Sequence, residues 1–145
     1  MKFRKATIKD FENLSKLRTQ LKEDELDKKN TEYARYSEAN DRPWIKKCLK
    51  SRKVPILIAE ENNQVYAHAI LCIEKVSPKV AKYYTYTKKA TLVHLYVDRN
   101  KRRQGIALNL MKFTLQYLKN QKVDFKNEGT DDIYLDNFEM PILDG

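Results

Sequence analysis

The chain has 145 residues, of which 41% are hydrophobic and 34% are charged, and its formal net charge is +9. This length and this mixed-sign composition predict one globular domain over residues 1–145 and argue against wholesale disorder. No apolar run approaches the roughly 20 residues of a membrane-spanning helix. Cys48 and Cys72 have neither metal-ligand nor disulfide-framework spacing, so we expect a cytoplasmic protein with reduced thiols.

The charge is unevenly distributed along the chain. Residues 124–145 contain seven acidic residues and one lysine, which gives a net charge of −6 there and +15 on the rest. A basic body of this size is consistent with a polyanionic ligand, a nucleic acid or an acidic protein surface as partner. The alternative is a lysine-rich solvated surface with no specific partner.

The N-terminal part of the sequence predicts one short strand and two helical regions. The strand is expected over residues 2–7, and Thr7 with Asp10 has the form of a capping box at the start of a helix. One apolar face of that helix is predicted from Phe11, Leu14, Leu17 and Leu21. After a charge-rich break over residues 22–30, a second helical region is expected to restart at Asp41, where an aspartate and a proline suit a helix start.

The middle of the sequence predicts three strands. Residues 55–59 are predicted to form a compact apolar strand and residues 65–76 a longer strand rich in β-forming residues. The polar turn between them indicates an antiparallel hairpin. Residues 77–87 are predicted to form a loop with three tyrosines, which either line a substrate pocket or hold the loop down by packing. The next strand, over residues 90–97, is apolar almost throughout, so we expect both of its faces to be covered.

A strongly apolar helix is predicted to start at Ile106, because leucine, isoleucine, methionine and phenylalanine recur over much of its circumference. A polar connection over residues 121–130 follows, and then a short last strand at Ile133-Tyr134-Leu135. The resulting order is β-α-α-β-β-β-α-β. This order predicts an α/β (α+β) fold with a mixed central sheet and helices on both faces.

A short motif joins the strand over residues 90–97 to the helix after it. It reads Arg102-Arg103-Gln104-Gly105-Ile106-Ala107. A helix N-terminus offers unpaired N–H donors and a partial positive charge, glycine permits close backbone approach, and arginine makes forked hydrogen bonds to phosphate. These properties predict a site for a phosphate-containing anion. The alternative is a basic turn that only caps the helix.

This motif, with Leu95-Tyr96-Val97 upstream, resembles the acetyl-CoA pyrophosphate loop of the GNAT superfamily of N-acetyltransferases, whose pattern is Arg/Gln-x-x-Gly-x-Gly/Ala. The element order is similar to the GNAT fold over nearly the whole chain, and the resemblance is detailed from residue 90 to residue 118. It implies acetyl-CoA as co-substrate, no metal, and a pyrophosphate held by the backbone from Arg103 to Leu108. The cofactor-binding residues that it implies are Leu95, Tyr96, Val97, Arg102, Arg103, Gln104, Gly105, Ile106, Ala107 and Leu108.

The resemblance also implies a role for the strand that contains Leu95-Tyr96-Val97. In the family this strand bulges and splays from its neighbour, and its free backbone groups bind the pantetheine arm as an added strand would. One N–H group is implied to stabilise the negative charge that develops on the thioester oxygen. The alternative is an ordinary central strand whose hydrogen bonds are all made within the sheet.

The residues suggest three catalytic candidates. Asp136 follows the predicted last strand, where some GNAT members carry a catalytic Glu, and it would act through water because Asp is shorter. His94 has a pKa range that suits a base, and Tyr96 is a candidate proton donor to the leaving thiolate. The alternatives are a turn-capping Asp136, a core His94 and a Tyr96 that only packs.

After Asp136 the sequence departs from the GNAT pattern. The Asn-x-x-Ala-x-x-x-Tyr-x-x-x-Gly-Phe segment of the family, which contacts coenzyme A, is missing. A homodimer is one way to cover the exposed sheet edge that such a shortened end implies. The first interpretation is an enzyme that acetylates a small-molecule or protein amine. Its rivals are a coenzyme A-binding sensor or scaffold without turnover and a basic nucleic-acid-binding protein.

Overall fold

A computed structural model describes residues 1–28 and 31–125, and the side chains of residues 1–24 and 41–125. The strands and helices are β1 (Lys2–Lys5), α1 (Phe11–Lys28), α2 (Thr31–Lys50), β2 (Ile56–Glu61), β3 (Gln64–Lys75), β4 (Lys88–Val97), α3 (Ile106–Asn120) and β5 (Asp124–Phe125). The five strands form one sheet in the order β1-β2-β3-β4-β5, antiparallel except for the β4–β5 pair. The predicted α+β class, the mixed sheet and the element order are therefore confirmed.

Helices cover both faces of the sheet because its central strands are apolar at consecutive positions. One set of side chains packs with α3 and includes Leu57, Ala69, Leu71, Leu92, Leu110 and Met111. The alternate set packs with α1 and α2 and includes Leu14, Leu17, Ile45, Ile56, Ile58 and Ile70. Each fully buried Leu or Ile contributes about 1.5–3 kcal/mol relative to an exposed one. The two apolar layers therefore hold the helices on opposite sides of the same strands.

The helices of the N-terminal half are longer than predicted. α1 continues through part of the expected break as far as Lys28, and α2 continues past Asp41 with Pro43 inside it. The predicted restart at Asp41 is wrong, because Ile45 and Cys48 beyond the proline are buried and their packing outweighs the backbone bond that proline removes. No helix within residues 1–28 or 31–125 is both long and apolar enough to cross a membrane.

The last described strand lies earlier in the chain than expected. β5 falls inside the segment predicted to be a polar connection over residues 121–130, so that prediction is wrong at Asp124 and Phe125. Its position is set by contacts beyond its own sequence, because Val123 is buried and Phe125 packs against the α3-side core. The predicted strand at Ile133-Tyr134-Leu135 lies outside the described residues.

Arg4 connects β1, β2 and the start of α1. Its guanidinium donates to Glu60 at 2.7 and 2.9 Å and to Asp10 at 2.7 and 2.9 Å. The Thr7 N–H also donates to Asp10, at 2.7 Å, as the predicted capping box requires. Burial raises the pKa of Asp10, but the hydrogen bonds from Arg4 and Thr7 outweigh it and hold this pKa below its usual value.

The variant Asp10→Asn is expected to destabilise the fold by about 1–3 kcal/mol at pH 7. Because the folded-state pKa lies below the unfolded value of about 3.9, the stabilisation by this carboxylate is complete above roughly pH 5 and is lost as pH falls through the folded pKa. Urea denaturation between pH 7 and pH 3 should therefore show a shallower acid loss of stability in Asp10→Asn. The exposed Glu74→Gln serves as the control. If the loss of stability with falling pH is the same in Asp10→Asn as in the unsubstituted chain, the lowered pKa of Asp10 is contradicted.

Candidate active site

A β-bulge interrupts the pairing of β4 with β3. Ile70 lies opposite His94 and Leu71 lies opposite Leu92, so Val93 is an extra residue in β4. Val93 is 43% exposed, and the expectation that both faces of this strand are covered is wrong at that position. A bulge adds one residue and so reverses the side-chain alternation beyond it.

Beyond the bulge, the side chains at the end of β4 pack on alternate faces of the sheet. Leu95 and Val97 pack with the α3-side core, whereas Tyr96 packs with the core under α1 and α2. His94 lies edge-on to Trp44 of α2, with 6.0 Å between ring centroids. His94 and Tyr96 therefore share a face opposite to Leu95 and Val97, as strand alternation predicts.

The edge of β4 away from β3 is open over most of its length in the described part of the chain. β5 pairs with β4 only through Lys89–Asp124 and Ala90–Phe125. Beyond Ala90, no other described strand lies beside β4 on that edge. Backbone groups on an open edge can pair with an extended ligand as they would with another strand.

The loop from β4 to α3 has an unusual backbone. After a 3-10 turn at Arg99–Lys101, Arg103 has φ +66° and Gly105 has φ +76°. The first α-helical hydrogen bond joins the Asn109 N–H to the Gly105 carbonyl at 3.0 Å. The N–H groups of residues 103–108 have no hydrogen-bond acceptor among residues 1–28 and 31–125. Left-handed residues before a helix N-terminus form a concave set of N–H donors that suits an anion.

The two arginines of the motif are placed differently. Arg103 is exposed, and it makes no hydrogen bond or ion pair with the described part of the chain. Arg102 donates from Nε to the Val97 carbonyl at 3.1 Å and from Nη2 to Asp24 at 3.5 Å, and its guanidinium lies 5.3 Å from the centre of the Tyr96 ring. Arg103 is therefore available to a ligand, whereas Arg102 is partly engaged within the protein.

The hydroxyl of Tyr96 forms hydrogen bonds with side chains of helix α1. Its hydroxyl oxygen lies 2.7 Å from the Asp24 carboxylate and 2.9 Å from the Gln20 Oε1 atom, which also accepts the Arg99 N–H at 2.9 Å. Burial and the hydrogen bond to Asp24 raise the pKa of Tyr96, so its proton is held more tightly than that of a free phenol. A raised pKa makes this hydroxyl a weaker acid toward a thiolate.

A buried polar layer lies beneath this site, between α1 and the sheet. Arg18 is 2% exposed and donates to Asp41 of α2 at 2.6 Å. His68 of β3 is fully buried, and burial together with the positive field of Arg18 holds its pKa well below the usual value. His68 is therefore neutral at neutral pH, and its ring nitrogens have no hydrogen-bond partner in the residues that are described.

The structure brings together some of the sequence-predicted residues and not others. The guanidinium of Arg102 lies over the Tyr96 ring. The motif from Arg102 to Leu108 forms the end of the loop and the start of α3. His94 lies on the same face as Tyr96, two residues earlier in β4. Asp136 lies outside the described residues, so its position relative to the loop stays a prediction.

Sequence reasoning missed the contribution of α1. Gln20 and Asp24 are four residues apart and therefore share one helix face, and both contact the hydroxyl of Tyr96. The i, i+4 spacing is a signal that can be found in the sequence. The strand and loop that these side chains meet are far away in the chain, so the spacing alone does not identify their partners.

Comparisons with known proteins agree on the fold. The family model described as Acetyltransferase (GNAT) family matches residues 16–133. Among curated proteins, none matches the sequence significantly. An acetyltransferase from Vibrio fischeri is 22% identical with a TM-score of 0.67, and the alignment covers 88% of this chain and 95% of that one.

Two further solved structures show the same architecture. A protein from Clostridium acetobutylicum, described as a predicted acetyltransferase with acetyl-CoA, is 20% identical with a TM-score of 0.63 over 96% of this chain and 88% of that one. An aminoglycoside acetyltransferase from an uncultured soil metagenomic sample, in complex with sisomicin, is 21% identical with a TM-score of 0.65 over 95% and 84%. These similarities concern the fold.

Proposed function

Because the chain belongs to the acetyltransferase (GNAT) family, whose model matches residues 16–133, we propose that it transfers an acetyl group from acetyl-CoA to a primary amine. The observation that carries this proposal is the set of N–H groups over residues 103–108, at the start of α3, which have no acceptor in the described part of the chain. These donors replace the hydration of a diphosphate, and the helix dipole adds a favourable field. Arg103 supplies a full positive charge beside them.

The open edge of β4 is the proposed site of the pantetheine arm. This arm contains two amide groups, and an extended amide chain can pair with the free backbone groups of a strand edge. The edge runs from the bulge at Val93 toward Val97 and then into the loop, so one path connects the strand to the start of α3. A backbone N–H on this edge is the proposed donor to the thioester oxygen. Acetyl-CoA, when bound, supplies the activated acetyl group.

The amine must lose a proton before it attacks. A lysine-like amine with a pKa near 10.4 is only about 0.04% neutral at pH 7, which corresponds to roughly 4.6 kcal/mol. Asp136, acting through water, and His94, next to the bulge, are the two proposed bases. Tyr96 is the weaker candidate for an acid role, because its pKa is raised and its hydroxyl contacts Asp24.

Direct attack by the amine is proposed in preference to an acyl-enzyme. A thiol nucleophile acts as the thiolate, and burial raises the pKa of the Cys48 thiol. Cys72 and the serines of the chain lie in no nucleophile motif. One attack on the thioester forms the amide bond, breaks the C–S bond and releases coenzyme A as the thiol.

The first test is release of the coenzyme A thiol from acetyl-CoA in the presence of an amine panel. The panel contains a small primary amine, a polyamine, an aminoglycoside, a peptide N-terminus and a peptide lysine. We expect amine-dependent thiol release with at least one class of amine. If His94 or Asp136 is the base, His94→Gln or Asp136→Asn respectively should lower kcat at least tenfold. Coenzyme A binding without thiol release for any amine would instead indicate a sensor.

A further inference from the structure

The contacts of Arg102 leave its guanidinium able to bind a ligand. Its Nη2 atom lies 3.5 Å from Asp24 Oδ2, which is the outer limit of a hydrogen bond. Its Nη1 atom makes no hydrogen bond with the described residues, and the side chain is 38% exposed. Only the Nε bond to the Val97 carbonyl, at 3.1 Å, is of ordinary length. A stronger anion could therefore displace Asp24 from this guanidinium while the Nε bond persists.

Asp24 is held in place chiefly by Tyr96, which contacts the same carboxylate oxygen as Arg102 does but at a much shorter distance. The Tyr96 hydroxyl lies 2.7 Å from its Oδ2 atom, and the neighbouring Gln20 is fixed by the Arg99 N–H. Its other oxygen lies 3.7 Å from Arg99 Nη1. The carboxylate therefore stays beside two arginines of the loop, and it brings a negative charge close to the proposed diphosphate site.

We infer that Asp24 competes with the diphosphate of coenzyme A for the Arg102 guanidinium, and that this carboxylate weakens cofactor binding. The inference rests on the proposed function. Two effects act in the same direction: Arg102 must leave Asp24 to meet the phosphate, and the like charges of carboxylate and phosphate repel each other. Helix α1, which contains Asp24, thereby lowers the affinity of the loop for its ligand.

The test is isothermal titration of coenzyme A into the purified chain and its Asp24→Asn variant. Asparagine keeps the shape and an oxygen that accepts the Tyr96 hydroxyl proton, and it removes the charge. We expect Asp24→Asn to tighten the Kd for coenzyme A about fivefold. Should this variant not fold, Asp24→Ser retains an acceptor and must show the same direction.

Two controls separate competition from other effects. Glu23→Gln removes one negative charge from the adjacent helix position, where Glu23 pairs with Arg99 at 2.9 Å, and it should change the Kd less than twofold. In an Arg102→Gln background, Asp24→Asn should tighten the Kd less than twofold, because the contested cation is gone and only the repulsion between carboxylate and phosphate remains.

Several outcomes would overturn the inference. They are weaker or unchanged binding in Asp24→Asn, an equal gain in Glu23→Gln, or a gain in the Arg102→Gln background as large as in the unsubstituted chain. Weaker binding would mean that Asp24 positions Arg102 for the ligand. If the unsubstituted chain does not bind coenzyme A, the proposed function fails and the inference fails with it. If the unsubstituted chain binds coenzyme A and one of the outcomes above is found, only the inference fails.

Discussion

Gly105→Asp should reduce coenzyme A binding by more than about 100-fold while the chain still folds. The carboxylate would stand at the N-cap of α3, where the diphosphate is proposed to bind, and it would repel the like charge of the ligand. Among the described residues, a Cβ at this position would meet Asn109 Nδ2 alone, at 3.8 Å, so there is room for a side chain. A negative charge at a helix N-terminus also stabilises the helix, which offsets part of the backbone strain.

Gly105→Asn is the matched control for this prediction. The backbone at Gly105 has φ +76°, and asparagine and aspartate adopt this left-handed conformation more readily than other side chains do. Both variants carry the same strain and the same volume, so their difference isolates the charge. We expect a loss of about tenfold or less in Gly105→Asn. Calorimetric titration of both variants measures the two values, and unchanged binding in Gly105→Asp would remove the diphosphate site from the start of α3.

Asp41→Ala should have the largest effect on stability, a loss of about 3–5 kcal/mol in the free energy of unfolding. The Arg18 guanidinium is 2% exposed and donates from Nε and Nη2 to Asp41, with a shortest distance of 2.6 Å. Removal of the carboxylate leaves a buried positive charge without its partner. Urea denaturation at pH 7 measures the change through the midpoint and the slope.

An exposed ion pair on the same helices provides the control. Arg42 of α2 lies 3.0 Å from Glu12 of α1, and both side chains are more than half exposed. Glu12→Gln is expected to change stability by less than about 0.5 kcal/mol. The double variant Arg18→Met/Asp41→Ala should recover much of the loss, because the unpaired charge is gone. A cost below about 1 kcal/mol for Asp41→Ala would contradict the burial of this pair.

Local patterns explain why much of the fold could be predicted. The consecutive apolar residues of β2, the β-forming residues of β3 and the polar turn between them predicted a hairpin. The turn residues Asn62 and Asn63 have the positive φ values that asparagine tolerates. The start of α3 was predicted because a glycine precedes a long apolar periodicity. In both cases the deciding interactions lie within a few residues of one another.

Long-range contacts explain the errors. Pro43 predicted a helix start, but burial of Ile45 and Cys48 keeps α2 continuous through it. The bulge at Val93 depends on how β4 pairs with β3, and a strand's own sequence does not contain its partner's register. The position of β5 depends likewise on contacts of Phe125 with the core.

The sequence by itself determined the element order, the basic glycine loop before α3 and the resemblance that linked this loop to acetyl-CoA. These properties reside in short stretches, where backbone preference and side-chain chemistry act locally. Only the tertiary structure decided that Arg102 lies on Asp24 while Arg103 is exposed, and that Tyr96 gives its hydroxyl to α1. Those outcomes depend on the packing of α1 over the end of β4, which joins residues more than 70 positions apart in the chain.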